Sequence, residues 1–104
     1  MSFKNESFVY RICTKKEYDD LNFFFCFEGN SLDKESGFIH LSMKSQIEGT
    51  LKKYFKKEKK LMLLKLSTEL LGDNLRWEKS RNNLYFPHYY GKISFKQIIE
   101  IIKL

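Results

Sequence analysis

Residues 37–42 read Gly-Phe-Ile-His-Leu-Ser, and the hydrophobic pattern changes its period directly after them. The apolar run 37–41, which contains one histidine, is typical of a β-strand. Ser42 is a favourable helix N-cap, and the apolar residues that follow it recur three or four positions apart, which predicts an amphipathic helix over 43–56. Those apolar residues are Met43, Ile47, Leu51, Tyr54 and Phe55. The stretch therefore predicts a strand that leads directly into the main helix of the fold.

The chain before this stretch predicts a strand and a short helix. Residues 7–13 are rich in β-branched and aromatic residues, as strands are. Thr14 begins a helix that extends to Leu21, with Glu17 at the position that completes a capping box. The polar segment 28–36 predicts a loop.

The chain after the main helix predicts further strands. They cover 61–66, 75–79 and much of 84–91, with a helical turn over 68–71. Residues 98–102 fit either a strand or a helix by pattern, and their isoleucine density favours a strand. Pro87 has no N–H for a strand ladder, so we expect it at an edge, a bulge or a strand end. The pattern predicts one α+β domain over 1–104, in which a twisted sheet packs against one main amphipathic helix and a short N-terminal helix.

The composition fits a single globular domain of 104 residues. Apolar runs such as 61–64 are much shorter than the roughly 20 residues that cross a bilayer, and residues 1–6 lack the apolar stretch of a signal peptide. Cys13 and Cys26 form no Cys-x-x-Cys pair, so we expect two buried thiols rather than zinc ligands. We expect a cytoplasmic protein with no membrane partner.

The formal net charge of +6 comes mainly from lysine, since the chain has only three arginines. The lysine run 52–60, with Tyr54 and Phe55 within it, resembles the pattern of RNA-binding surfaces. Helical spacing predicts that both aromatics face the core, which favours an ordinary solvated helix face. The basic helix 43–60 nevertheless supports an alternative function, a non-catalytic module that meets RNA or an acidic protein.

Two histidines indicate the favoured site. His40 lies just before the predicted helix N-terminus at Ser42, where backbone N–H groups and the helix dipole favour an anion such as phosphate. His88 follows Pro87, and interruptions of this kind re-aim side chains beside active sites. Each histidine either makes a structural hydrogen bond or acts in a cleft, where it would bind phosphate or ribose or serve as an acid or base.

Charged residues in the predicted strands extend this site. Arg11 lies centrally in the first strand, where arginine needs an acidic partner or an anionic ligand. Glu78 is a candidate partner for it, and Glu78 either lines the cleft of the histidines or pairs with Arg76 or a lysine at the surface. Asp33 and Glu35 belong to the predicted loop, and we expect them to be solvated because no spaced set of metal ligands accompanies them.

Several segments taken together resemble a bacterial domain-of-unknown-function family, number nine hundred and fifty-two. They are Val9-Tyr10-Arg11-Ile12, Gly37-Phe38-Ile39-His40-Leu41-Ser42 with Gln46, Tyr54-Phe55, Leu75-Arg76-Trp77-Glu78 and Phe86-Pro87-His88-Tyr89-Tyr90-Gly91. The resemblance extends over nearly the whole chain. Members of this family are small stand-alone proteins, so the resemblance implies a fold and a site more than an activity.

The family is in turn similar to the ADP-ribosyltransferase fold, including the RNA 2′-phosphotransferase branch, which has a comparable His-Leu-Ser segment at a strand-to-helix junction. This similarity implies a split, mixed β-sheet with NAD or an ADP-ribose-like nucleotide between its halves, and a transferase reaction. The catalytic residues that it implies are His40, Glu78 and His88. The ligand-binding residues are Arg11, Ser42, Trp77 and Tyr90. Arg11 departs from the pattern, since related proteins often have histidine at that position of the first strand.

Overall fold

The structure is a computed structural model that describes residues 6–104, with only the backbone described at residue 81. The strands are β1 (Phe8–Thr14), β2 (Cys26–Phe27), β3 (Ile39–His40), β4 (Leu61–Ser67), β5 (Leu75–Lys79), β6 (Tyr85–Tyr89), β7 (Ile93–Ser94) and β8 (Ile98–Lys103). The α-helices are α1 (Lys15–Phe24), α2 (Ser31–Ser36), α3 (Ile47–Tyr54) and α4 (Thr68–Leu71). Short 3₁₀ turns cover Lys44–Gln46, Gly72–Asn74, Arg81–Asn83 and Phe95–Gln97. The predicted α+β class is confirmed.

The strands of the described chain form three sheets. Their orders are β1-β4-β8, β2-β7 and β3-β6-β5. The expected division of the sheet is therefore present, but every pairing between the described strands is antiparallel rather than mixed. Antiparallel pairing allows a short turn to join β5 to β6, whereas a parallel pair needs a long crossover.

The sheet of β1, β4 and β8 is buried on both faces around its central strand, β4. One face packs into the main core, where Leu64 and Leu66 are fully buried. The other face contributes Leu63 to a second cluster, which α3 covers with Ile47 and Leu51. A strand that is buried on both faces is mostly apolar, and β4 is apolar at every position except Lys65 and Ser67.

The main helix differs from its prediction over 43–56. Ser42 is not its N-cap, because the backbone N–H and C=O of Ser42 pair with Tyr10 at 2.8 Å each and hold residue 42 in a β-bridge. A 3₁₀ turn follows, in which Gln46 Oε1 accepts from the Met43 N–H at 3.0 Å, and α3 begins only at Ile47. The long-range bridge to β1 takes precedence over the local capping preference of serine.

The predicted loop over 28–36 contains the short helix α2. Asn30 is its N-cap and forms a capping box with Asp33 at the third helical position. Gly37 ends the helix in the left-handed conformation, φ +85°, which glycine adopts without strain. The N-terminal helix also extends three residues further than predicted, to Phe24, and its predicted capping box between Thr14 and Glu17 is confirmed.

Pro87 lies in the central strand of its sheet and is fully buried, so of the three positions expected for it the edge is excluded. Its carbonyl accepts from the Leu41 N–H at 3.1 Å, so the nitrogen of Pro87, which carries no hydrogen, faces β3 as well. The pairing of β3 with β6 ends at His40 and His88, one residue before Leu41 would pair with Pro87. Proline is tolerated here because the neighbouring strand, rather than its own strand, ends beside it.

The two cysteines differ in burial, and the expectation of two buried thiols holds only for Cys13. Cys13 is buried and Cys26 only partly so, and burial raises the pKa of the Cys13 thiol to about 12, which leaves it protonated and unreactive. None of the helices in the range 6–104 has the length and apolar character that crossing a membrane requires.

Candidate functional site

A cleft of about 380 Å³ lies where β1, α2, β3, α3 and β6 meet. Small-molecule sites usually measure about 300–1,000 Å³. Four of the predicted site residues, Arg11, Ser42, His40 and His88, line this cleft together with Asp33. The fold therefore gathers residues from four distant parts of the sequence into one site.

Arg11 is buried in β1, and two carboxylates bind its guanidinium. Nη1 donates to Asp33 Oδ1 at 2.9 Å, and Nη2 donates to Glu17 Oε2 at 3.0 Å. Burial alone would lower the pKa of Arg11, but the charges of Asp33 and Glu17 outweigh it and raise that pKa. The expected partner, Glu78, was wrong, because α1 and α2 bring their own carboxylates to β1. The charge of Arg11 is thus compensated inside the protein.

His40 is oriented by Asp33, a residue that the sequence placed in a solvated loop. His40 Nδ1 lies 2.7 Å from Asp33 Oδ1, and the His40 backbone N–H donates to the same oxygen at 3.0 Å. Burial acts to raise the pKa of Asp33, but the hydrogen bonds from His40 and the charge of Arg11 hold it well below its usual range. An ionised carboxylate can only accept a hydrogen bond, so we assign the proton of this bond to His40 Nδ1. The side chain of His40 is 33% exposed to the cleft.

His88 forms a second pair of the same kind with Glu78. His88 Nδ1 lies 2.8 Å from Glu78 Oε1, and the Tyr90 hydroxyl donates to that oxygen, also at 2.8 Å. Burial lowers the pKa of His88, and the hydrogen bond to Glu78 offsets only part of this effect. The hydrogen bond from His88 in turn lowers the pKa of Glu78, and the one to Glu78 raises the pKa of Tyr90.

The two histidines meet because β3 and β6 pair them directly. His40 lies opposite His88 in the register, and their ring centroids are 5.7 Å apart at 67°. Phe38 stacks on His88 at 4.0 Å and contacts His40 at 4.7 Å, so one aromatic ring braces both imidazoles. Neither Nε2 atom hydrogen-bonds to a described residue. The arrangement therefore offers two carboxylate-oriented imidazoles whose Nε2 atoms have no hydrogen-bond partner within the part of the chain that the structure describes.

The remaining predicted site residues lie at different distances from the cleft. Ser42 lines it, but its hydroxyl lies 3.2 Å from that of Thr50 and no helix N-terminus begins there. Tyr90 lies behind His88 and contacts Arg76, whose guanidinium carbon is 5.0 Å from the ring centroid. Trp77 is on the opposite face of β5 and packs against the core. The anion-binding site that was expected at a helix N-terminus is therefore not formed at Ser42.

Comparison with known proteins identifies the family. Residues 12–101 match the family model described as "Protein of unknown function (DUF952)". The chain belongs to this family. No curated protein matches it.

Two solved structures of another protein resemble this DUF952 chain throughout. The crystal structure of protein CC0527 from Caulobacter crescentus is 35% identical, with a TM-score of 0.89, and the match covers 94% of this chain and 86% of that one. The solution NMR structure of CC0527 is 34% identical, with a TM-score of 0.77 over 90% of this chain and 81% of that one. The likeness confirms the fold, and neither description names a ligand or an activity.

Three polar residues of this DUF952 site lay outside the sequence-based prediction: Asp33, Glu17 and Asn30. Asn30 Nδ2 donates to Glu17 Oε2 at 2.9 Å, which ties α2 to α1 beside Arg11. The signal for Asp33 was present, because Asn30 and Asp33 have the spacing of a capping box. Among the described residues, no group of three or more histidine, cysteine, aspartate or glutamate side chains is placed to hold a metal ion.

Replacing Glu78 with glutamine is expected to lower the pKa of His88 further. In the native protein this pKa already lies below the ordinary value of 6.5, and Glu78 raises it against the effect of burial. Glutamine keeps an acceptor for Nδ1 but removes the negative charge. Titration of the His88 Cε1–H signal by NMR in the native protein and the variant measures the change. A His88 midpoint that rises in the variant would contradict this assignment.

Proposed function

We propose that this protein is an enzyme, or an enzyme-derived domain, that binds NAD or an ADP-ribose-like nucleotide in the cleft. The observation that carries the proposal is the pairing of His40 Nδ1 with Asp33 at 2.7 Å in the wall of the cleft. A carboxylate on one imidazole nitrogen fixes the tautomer and stabilises the protonated ring, which prepares the other nitrogen for acid–base chemistry. The resemblance to the ADP-ribosyltransferase fold that was inferred from the sequence motifs alone favours the same class of ligand.

The lining of the cleft fits the nucleoside part of such a ligand better than its phosphates. Tyr10, Phe55 and Phe86 offer aromatic surface for a base, and His40 offers an Nε2 within the cleft for a ribose hydroxyl. Arg11 is the only permanently charged cation among the described lining residues, and Asp33 and Glu17 already compensate it. The phosphates would therefore lie toward the rim, while the sugar and base enter.

In the proposed reaction His40 Nε2 would accept the proton of a bound acceptor hydroxyl as that oxygen bonds to the ribose carbon, and nicotinamide would leave as a neutral base. Asp33 stabilises the imidazolium that forms, and Arg11 holds Asp33 in its ionised state. His88 is more deeply buried, and its lowered pKa keeps its imidazole neutral near pH 7. Positioned acid–base catalysis of this kind contributes about 10²–10⁴-fold in rate. NAD, when bound, would supply the glycosidic bond that a transferase breaks.

Addition of ADP-ribose or NAD to the ¹⁵N-labelled protein is expected to shift the amide signals of His40, Ser42 and His88. His40→Ala should weaken binding about tenfold, because it removes a hydrogen bond to the ligand. Lys15→Ala, in an exposed ion pair on α1, is the matched control and should leave affinity unchanged. No shift at these residues with millimolar ligand would refute the proposal.

A further inference from the structure

The positive charge of this protein is concentrated beside the cleft. Segment 44–60 holds seven lysines and two glutamates, so it accounts for five of the six net charges. All seven lysines are exposed. The same segment lines the cleft through Thr50, Tyr54 and Phe55. A strongly basic surface therefore adjoins the cleft, in which Asp33 and Glu17 already neutralise the charge of Arg11.

Tyr54 is exposed at this boundary, contrary to the helical-spacing prediction. Its exposed fraction is 54%, whereas Phe55 is partly buried and packs on the second core cluster. Ile47 and Leu51 of α3 and the C-cap Phe55 are partly buried and lie four residues apart, and Tyr54 is one residue off that line. Lys53 Nζ lies 5.5 Å from the Tyr54 ring centroid. An aromatic ring and a lysine thus lie together at the rim.

We propose that the ligand of the cleft is the end of a single-stranded nucleic acid, and that segment 44–60 binds the chain leading to it. This inference rests on the proposed function, because the terminal nucleoside takes the place of the nucleotide at His40. Sites for single strands combine a basic track for phosphates with aromatic rings on which bases stack. Here the lysines form the track and Tyr54 is the stacking ring. The Lys52–Glu48 pair, at 3.2 Å, is exposed and competes weakly with phosphate.

The distribution of charge distinguishes a nucleic acid from an acidic protein. An acidic peptide provides carboxylates for the lysines, but it has neither a base for Tyr54 nor a sugar hydroxyl for His40. A chain end also suits the compensated interior, since its uncharged nucleoside enters the cleft while its phosphates remain outside with the lysines. One ligand therefore provides phosphates for the lysines, a base for Tyr54 and a sugar hydroxyl for His40.

Binding of a fluorescein-labelled 12-nucleotide single-stranded RNA of mixed sequence tests the track. Four lysine contacts predict that affinity falls about 50-fold between 50 and 200 mM salt. The variant K52A/K53A/K56A/K57A should bind at least tenfold more weakly at low salt, with a shallower salt dependence. Tyr54→Ala should weaken binding about tenfold with an unchanged salt dependence, because stacking carries no charge.

The matched control is K15A/K16A/K96A/K103A, which removes four exposed lysines elsewhere. An equal loss in this control would overturn the inference, since net charge alone would then explain binding. Displacement of the RNA by polyglutamate at equal charge concentration would also overturn it, in favour of an acidic protein partner.

The amide signal of His40 tests whether an end enters the cleft. Linear RNA should shift it, whereas a circular RNA of the same sequence should shift only the lysine segment. An equal shift by the circular form would overturn the chain-end assignment. Free ADP-ribose separates the two proposals: if it shifts His40 while RNA binding ignores segment 44–60, only the inference fails. If RNA binds through the lysines and neither ligand shifts His40, the nucleotide site itself fails.

Discussion

Replacing Asp33 with alanine is expected to lower the free energy of unfolding by about 3–5 kcal/mol, because it breaks a buried ion pair from one side. Asp33 is 2% exposed. Its two oxygens accept hydrogen bonds from Arg11 Nη1, from the backbone and ring of His40, and from the Asn30 N–H. Arg11 Nη2 also forms an ion pair with Oδ2 at 2.9 Å. The variant leaves the guanidinium with one carboxylate and frees the imidazole to rotate.

Urea unfolding measures this effect, and Asp19→Ala is the matched control. Asp19 pairs with Lys15 in the solvent at 2.8 Å, and exposed pairs contribute only about 0–1 kcal/mol. A cost for Asp33→Ala within that range would contradict the central role of the carboxylate. The loss of unfolding free energy in Asp33→Ala should also depend on pH. Because the folded-state pKa of Asp33 is depressed below its ordinary 3.8, its stabilisation is present above that pH and is lost as the pH falls below it.

Replacing Leu64 with alanine is expected to cost about 2–5 kcal/mol of unfolding free energy. Leu64 is fully buried in the central strand β4, where it lies between Arg11 of β1 and Ile101 of β8 in the register. Three strands of one sheet surround it, so the cavity that the variant leaves has little room to collapse. Leu70→Ala on α4 is the control, because that side chain is 52% exposed.

Thermal or urea unfolding of the Leu64 and Leu70 variants tests the assignment of the core. The exposed leucine should change stability by about 0.5 kcal/mol or less. If the two variants lose similar stability, β4 is not the central strand of the sheet. A large loss for Leu64 with unchanged His40 signals would show that the core and the site can be perturbed separately.

The residues of the site differ in how far the sequence predicted them. Residues 37–41 were predicted as one strand, in which alternation places Phe38 and His40 on the same face, and their rings lie 4.7 Å apart. The pairing of His40 with His88 depends on a register across 48 positions of sequence, and no pattern within either segment encodes that register. Asp33 was assigned to solvent, because a six-residue helix contains too few residues to show an amphipathic period.

Arg11 and Tyr54 show why partner choice and exposure escaped local analysis. The sequence correctly indicated that a central arginine needs an acidic partner. One of its two partners, Asp33, lies 22 residues away on a helix that was not predicted, and the other, Glu17, was predicted only as a capping residue. The exposure of Tyr54 depends on where α3 ends and which of two adjacent aromatics the core accepts. Both outcomes depend on packing between elements.

The sequence by itself determined the α+β class, the long strands β1 and β4, the capped start of α1 and the two histidines, because each is encoded in periodicity or capping within a few residues. Only the tertiary structure decided that Ser42 bridges to Tyr10 instead of capping a helix, and that Asp33 joins Arg11 to His40. It also decided that a basic, tyrosine-bearing rim borders the cleft. These features arise where distant segments compete for the same backbone groups and charges, and that competition is resolved only when the segments pack together.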